Sequence, residues 1–192
     1  MIAIIKYNAG NVKSVQNAVM RLGYASEVTN DPRKIKSAEK VIFPGVGEAK
    51  SAMKSLVENG LDELIPKLTQ PVLGICLGQQ LMCNYSEEGQ TKCLGIFDVD
   101  VKRFPNSGIV PHMGWNNLTI QNKTLFKNWN PQNDVYFVHS YYVECCKNTS
   151  AIAEYIIPFS AALEKNNFYA TQFHPEKSSR IGSEILQTFL EL

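Results

Sequence analysis

The chain has 192 residues, with 19 Lys and Arg against 18 Asp and Glu, a net charge of +1. Hydrophobic residues make up 44% and charged residues 19%, which suits a single globular domain over 1–192 with its own core and argues against long disorder. The balanced charge excludes a nucleic-acid-binding surface on electrostatic grounds, and the longest uncharged runs, 68–86 and 104–122, carry Pro, Gly, Asn and Gln inside them and do not read as membrane spans.

The opening Met1-Ile2-Ala3-Ile4-Ile5-Lys6 has no basic leader region and no long apolar core, so 2–7 reads as a first strand and not as a signal peptide. Val12, Val15, Val19 and Leu22 recur at helical spacing, with Asn11 placed to cap the start and Gly23 to close the end. A weak strand is expected over 26–29 and a stronger one over 40–43, stopped by Pro44-Gly45. The next helix sets Ala49, Ala52, Met53, Leu56 and Val57 on one face and ends near Gly60. The apolar run 72–75 leads straight into Cys76, and 77–85 reads as a helix. Strand–helix alternation of this kind predicts a parallel sheet with helices on both sides.

Beyond residue 90 the pattern changes. Phe97, Val99 and Val101 alternate with Asp98, Asp100 and Lys102, as in a half-exposed strand. Further strands are expected over 135–143, 151–157, 161–164 and 169–173, with short connections that add antiparallel pairs to the parallel sheet. A closing helix over 179–190 gathers Ile181, Ile185, Leu186 and Phe189 on one face. The fold class is α/β, a three-layer α/β/α arrangement around a mostly parallel sheet, with no internal repeat and no linker.

Gly74-Ile75-Cys76-Leu77-Gly78 places a cysteine between flanking glycines at a strand-to-helix junction, the thiol form of the nucleophile elbow. A sharp turn lifts the side chain out of the sheet, the glycines make room for it, and the N-terminus of the next helix favours the thiolate. The backbone N–H of Leu77 is then positioned to hold an oxyanion. A core cysteine between two glycines is the other reading, and the strand–turn–helix setting favours the nucleophile. The remaining cysteines read differently: Cys83 as helix core, Cys93 near a turn, and Cys145 and Cys146 as neighbours facing opposite sides of a strand. An odd cysteine count with no disulfide framework fits a reducing cytoplasm. His112, His139 and His174 are widely spaced, with no CxxC and no HxxxH, so neither a metal site nor a cofactor is expected.

A thiolate in acyl transfer needs an acid–base group and an orienter. Phe173-His174-Pro175-Glu176 offers both at a strand end, His174 as the base and Glu176 to fix its tautomer. Alone, this string fits a solvated turn equally well; with the cysteine elbow it points to catalysis. Phe43-Pro44-Gly45-Val46-Gly47 ends a strand in a turn with backbone N–H groups free for an anion, and it lacks the Lys-Ser/Thr of a phosphate loop. By itself it reads as a simple strand-to-helix turn.

In this order, these elements resemble the class I (triad-type) glutamine amidotransferases along almost the whole chain. The strings that carry the resemblance begin with Tyr7, Ala9-Gly10-Asn11, Pro44-Gly45-Val46-Gly47 and Gly74-Ile75-Cys76-Leu77-Gly78-Gln79-Gln80-Leu81. Pro111-His112-Met113-Gly114-Trp115-Asn116, Tyr136-Phe137-Val138-His139-Ser140-Tyr141 and Ala170-Thr171-Gln172-Phe173-His174-Pro175-Glu176-Lys177-Ser178 point further, to the histidine-biosynthesis branch of the family. The resemblance implies a flavodoxin-like fold and hydrolysis of L-glutamine to glutamate and ammonia through a thioester on Cys76. It gives His174 the proton transfers and Glu176 their orientation, and it places the oxyanion donors at Leu77 and Val46, on a strand that can need reorientation before the hole is complete. Gly47, Gln80, Glu88 and the backbone of His139, Ser140 and Tyr141 would hold glutamine. Met113, Trp115, Asn116, Tyr136 and Lys177 would face a partner, a (β/α)8-barrel cyclase that uses the ammonia. Without the resemblance, Trp115 and Tyr136 read as ordinary packing and Lys177 as a solvated lysine. Two rivals remain: a paralogous glutaminase feeding a surface-sugar amidotransferase, and a non-catalytic thiol sensor or scaffold on the same fold.

Overall fold

The first strand, β1 (Ile2–Ile5), shows how the sheet is buried on both faces. Ile2 and Ile4 enter one hydrophobic cluster, Ala3 and Ile5 the other, following the alternation of side chains along a strand. The computed structural model describes residues 1–8 and 11–192, so the Ala9-Gly10 pair of the N-terminal motif lies outside the described residues. The chain continues through α1 (Val12–Arg21), β2 (Ser26–Thr29), α2 (Pro32–Ser37), β3 (Lys40–Gly45), α3 (Ala49–Glu58), α4 (Leu61–Leu64), β4 (Val72–Cys76) and α5 (Leu77–Leu81). Short strands β5 (Tyr85–Ser86), β6 (Thr91–Lys92) and β7 (Asp100–Arg103) follow, then β8 (His112–Asn117), β9 (Thr119–Ile120), β10 (Asp134–His139) and β11 (Tyr141–Val143). The last elements are β12 (Thr149–Glu154), β13 (Pro158–Lys165), β14 (Phe168–Thr171) and α6 (Ser179–Leu190).

The central sheet has the order β2-β1-β3-β4-β14-β13-β12-β9. From β2 to β14 neighbouring strands are parallel; from β14 to β9 they are antiparallel. The parallel part has the 2-1-3-4-5 order of flavodoxin-like sheets. Helices α1 and α6 pack on one face through Val15, Val19, Ile181, Ile185 and Phe189, and α2, α3, α4 and α5 pack on the other through Ile35, Leu56, Leu61 and Leu77. The expected three-layer α/β/α class, with antiparallel strands added, is the fold observed. Two smaller sheets, β10-β8 and β11-β7-β5-β6, stand over the carboxyl ends of the parallel strands near the elbow.

Several boundaries differ from the sequence expectation. Strand β3 continues through Pro44-Gly45, because Gly45 still pairs with Cys76 across β4. Helix α5 ends at Leu81, four residues early. There Asn84 N–H turns to the Val99 carbonyl and the chain enters β5. Only 100–102 of the alternating run 97–102 is strand, which continues to Arg103. The expected strand 135–143 breaks at Ser140, so that β10 pairs with β8 while β11 pairs with β7. Val57 is 57% exposed, since Ala49, Ala52, Met53 and Leu56 already fill the buried face of α3. Cys145 and Cys146 lie outside any strand.

Candidate active site

Cys76 is the last residue of β4 and the residue before α5, with φ 54° and ψ −108°. That pair of angles lies outside the regions open to L-residues at low cost and stores roughly 1–3 kcal/mol, held by the packing around it. The flanking glycines are required by close approach. A Cβ on Gly74 would lie 2.9 Å from Met82 Sδ and 3.0 Å from the Gly78 carbonyl; a Cβ on Gly78 would run into the backbone of Phe43. The helix can therefore start directly against β3 and β4. The Leu77 N–H, first in α5, has no intrahelical partner by position.

His174 follows β14, the strand beside β4, and is fully buried. Its Nδ1 lies 2.8 Å from Glu176 Oε1, an oxygen that also accepts from Asn11 Nδ2. Asn11 thus does not cap α1 as expected. It stands before the helix in a left-handed conformation and spends its side chain on Glu176. With Nδ1 committed, His174 meets the Cys76 sulfur through Nε2, which has no hydrogen-bond partner at ordinary distance. Burial pushes the His174 ring down, but the hydrogen bond and charge of Cys76, then those of Glu176, outweigh it and hold it raised to about 10. The His174 ring is thereby held protonated beside the Cys76 sulfur.

In front of Cys76 lies a cleft of about 340 Å³. Val46 and Gly47 form one wall, with Gly47 at φ 116°, a conformation open to glycine and not to other residues. Leu77, Gln80 and Glu88 also line the cleft, with Pro111, Val138, His139, Ser140 and Tyr141. All the residues expected to hold glutamine or its oxyanion therefore meet in one cleft with Cys76, while His174 and Glu176 are buried behind the sulfur. Glu88 accepts from the Ala49 N–H at 2.8 Å through Oε2, and desolvation raises its carboxyl. Gln80 donates its amide to the Tyr141 carbonyl at 3.0 Å and to Gln172 Oε1 at 2.9 Å.

The residues expected to face a partner lie on β8 and β10 and just after β14. Met113 and Trp115 alternate outward on β8, 63% and 54% exposed, and Trp115 meets Tyr136 edge to face at 5.9 Å. Lys177 is exposed and Asn116 half-buried. The backbone ties this surface to the dyad: His174 N–H donates to the Tyr136 carbonyl at 2.9 Å, and Tyr136 N–H donates to Ser178 Oγ, which donates to the His174 carbonyl.

Sequence reasoning gave no part in this site to the side chains of four polar residues, His112, His139, Asn11 and Gln172. His112 Nδ1 lies 2.9 Å from His139 Nε2, and His139 Nδ1 lies 2.7 Å from the Tyr141 carbonyl. The carbonyl only accepts, so His139 donates to it through Nδ1; burial pushes both rings below their ordinary value and keeps them neutral, so His139 Nε2 accepts from His112 Nδ1. Asn11 and Gln172 are the others, the latter donating to Cys76 Sγ at 3.6 Å. A signal for Gln172 existed: in an extended segment it shares a face with His174, two residues on. Among the described residues, no group of three His, Cys, Asp or Glu is placed to hold a metal ion, and no helix is long and apolar enough to cross a membrane.

A strained cysteine at the end of a parallel strand, backed by a buried His–Glu pair, forms a Cys–His–Glu thiol site. The family model Glutamine amidotransferase class-I matches residues 3–192, and the chain belongs to that family. It is 58% identical to Imidazole glycerol phosphate synthase subunit HisH of Bacteroides fragilis, over 100% of this chain and 99% of that one. It is 47% identical to the protein of the same name from Haemophilus influenzae, over 99% and 96%. A crystal structure of a glutamine amidotransferase superposes with a TM-score of 0.76 at 16% identity, covering 99% of this chain and 97% of that one, and so shares the fold.

Proposed function

We propose that this chain is the glutaminase subunit of an imidazole glycerol phosphate synthase, acting in the cytoplasm as a single catalytic domain. The observation that carries the reading is the meeting of Cys76, the His174–Glu176 pair and the cleft walls at the ends of β4 and β14. The 58% identity to a full-length relative of that name supports the branch.

In the proposed reaction, Cys76 Sγ attacks the side-chain amide carbon of L-glutamine. The new C–S bond places charge on the amide oxygen, and the Leu77 and Val46 N–H groups receive it. His174 gives its Nε2 proton to the nitrogen, the C–N bond breaks, and ammonia leaves. Water then enters, His174 takes its proton, and hydroxide attacks the thioester carbon. The C–S bond breaks, its electron pair returns to sulfur, and glutamate departs. Glu176 holds the ring in one tautomer and balances its charge whenever the ring is protonated. Gly47, Gln80, Glu88, His139, Ser140 and Tyr141 hold the substrate, Glu88 by accepting from its ammonium group. Ammonia passes to a (β/α)8-barrel cyclase docked on Met113, Trp115, Asn116, Tyr136 and Lys177, where it is used to form imidazole glycerol phosphate and AICAR.

The test is glutamate release from glutamine by the chain alone, with a histidine-pathway cyclase subunit, and with that subunit plus its ribulosyl nucleotide. Weak activity alone and strong stimulation in the full mixture is the expected result. Turnover that ignores this partner and its ligand moves the chain to the surface-sugar or another synthase branch. No turnover in any mixture leaves a thiol sensor or scaffold.

A further inference from the structure

The sulfur of Cys76 has a partner that the triad does not use. Gln172 is fully buried between β14 and His174, and its amide Nε2 donates to Cys76 Sγ at 3.6 Å. The direction of that bond is fixed by a chain of contacts. The Tyr141 carbonyl can only accept, so Gln80 must turn its amide nitrogen toward it, at 3.0 Å. The same Gln80 nitrogen faces Gln172 at 2.9 Å, so Gln172 must present its oxygen there. Its nitrogen is then left for the sulfur. Flipping the Gln172 amide would oppose two donors at Gln80 and turn an oxygen onto the sulfur. The Gln172 backbone is held as well, its N–H donating to the Ala161 carbonyl at 2.8 Å.

We propose that Gln172 is a further catalytic residue, whose amide N–H holds the Cys76 sulfur as the thiolate and receives it again when the thioester is hydrolysed. A donor to sulfur favours the anion over the thiol and over the neutral thioester sulfur. It opposes the Val138 carbonyl, 3.9 Å away, which accepts from the protonated thiol. In the second half of the reaction, the C–S electron pair returns to a sulfur that already has an N–H aimed at it. This inference rests on the glutaminase reading for its place in the cycle, but the hydrogen bond itself can be tested without glutamine.

The experiment measures alkylation of Cys76 by iodoacetamide against pH in the full-length chain, followed at the Cys76 peptide by mass spectrometry. Exposed Cys145 serves as the internal reference. Gln172→Glu keeps the acceptor for Gln80 and removes the donor to sulfur; Gln172→Met removes both at similar volume. The other titratable groups facing the sulfur, His174 and Tyr7, are present in each variant. The expected result is an alkylation midpoint about one pH unit higher for Gln172→Met, hence Cys76 labelling about tenfold slower below the midpoint, with a larger shift for Gln172→Glu. Cys145 labelling stays unchanged, and kcat for glutamine falls more than KM rises. A wild-type midpoint in either variant that keeps the wild-type melting temperature overturns the proposal, whatever its activity. If one substitution unfolds the chain, the other decides. If the wild-type protein releases no glutamate alone, with the cyclase subunit or with that subunit and its nucleotide, the glutaminase reading fails while the alkylation profile still judges the hydrogen bond.

Discussion

A Cβ placed on Gly78 would lie 1.9 Å from the carbonyl oxygen of Phe43. The neighbour is backbone in the middle of β3 and cannot swing aside. Gly78→Ala must therefore push α5 away from the sheet, and α5 starts at Cys76. We expect destabilisation at the upper end of the range of about 1–3 kcal/mol for overpacked sites, with loss of most glutaminase activity. Urea unfolding and glutamate release check the two effects separately.

Glu176 accepts from both His174 and Asn11, so its charge supports the ring while its position is held from α1. Glu176→Gln keeps the shape and removes the charge. The expected loss is about 10²–10⁴-fold in kcat with KM for glutamine little changed, because orientation of the base matters in the transition state and not in binding. An equal rise in KM would place Glu176 in substrate binding instead.

His112 and His139 set an acid limit on stability. Burial pushes His112 down to about 4 and His139 to about 3, below their ordinary value near 6.5. The unfolded chain then binds more protons than the folded one between about pH 6.5 and these values. Stability from the neutral pair is full above about 6.5 and is lost as pH falls through that window, by about 1.4 kcal/mol per pH unit for each proton. His112→Asn keeps a donor toward His139 and removes one titration, so urea midpoints measured at pH 7, 6 and 5 should fall less steeply in the variant.

The cysteines divide by burial. Desolvation raises Cys83 well above its ordinary range and, with Asp100 and Glu88 nearby, pushes Cys93 up to about 12. Neither should react with iodoacetamide in the folded chain near neutral pH, while Cys76 and exposed Cys145 do. Peptide mapping before and after unfolding in urea measures this, and early labelling of Cys83 or Cys93 would contradict it.

What the sequence made legible follows the range of the forces involved. The closing helix was readable to the residue, because Ile181, Ile185, Leu186 and Phe189 repeat at helical spacing and pack on one face. Helix α5 was read too long because Met82 and Cys83 continue the apolar pattern; what ends it is pairing with distant residues such as Val99. Strand β8 was missed because Gly114 and two asparagines hide its alternation. The cluster of Cys76, His174 and Glu176 was readable because its motifs are local strings. The bonds that support it, from Asn11 to Glu176 and from Gln172 to Cys76, span 165 and 96 residues and exist only once the sheet brings β1, β4 and β14 together.

The central claim is that glutamine is cleaved through a thioester on Cys76, and trapping that intermediate tests it most directly. The chain, with its synthase partner, is mixed with carbon-labelled glutamine, quenched in acid during turnover, digested and mapped. The account predicts label on the peptide carrying Cys76 and none in Cys76→Ala, which should also lose glutamate release while keeping its fold and its partner. Steady glutamate release from Cys76→Ala, or label on another residue, would contradict it.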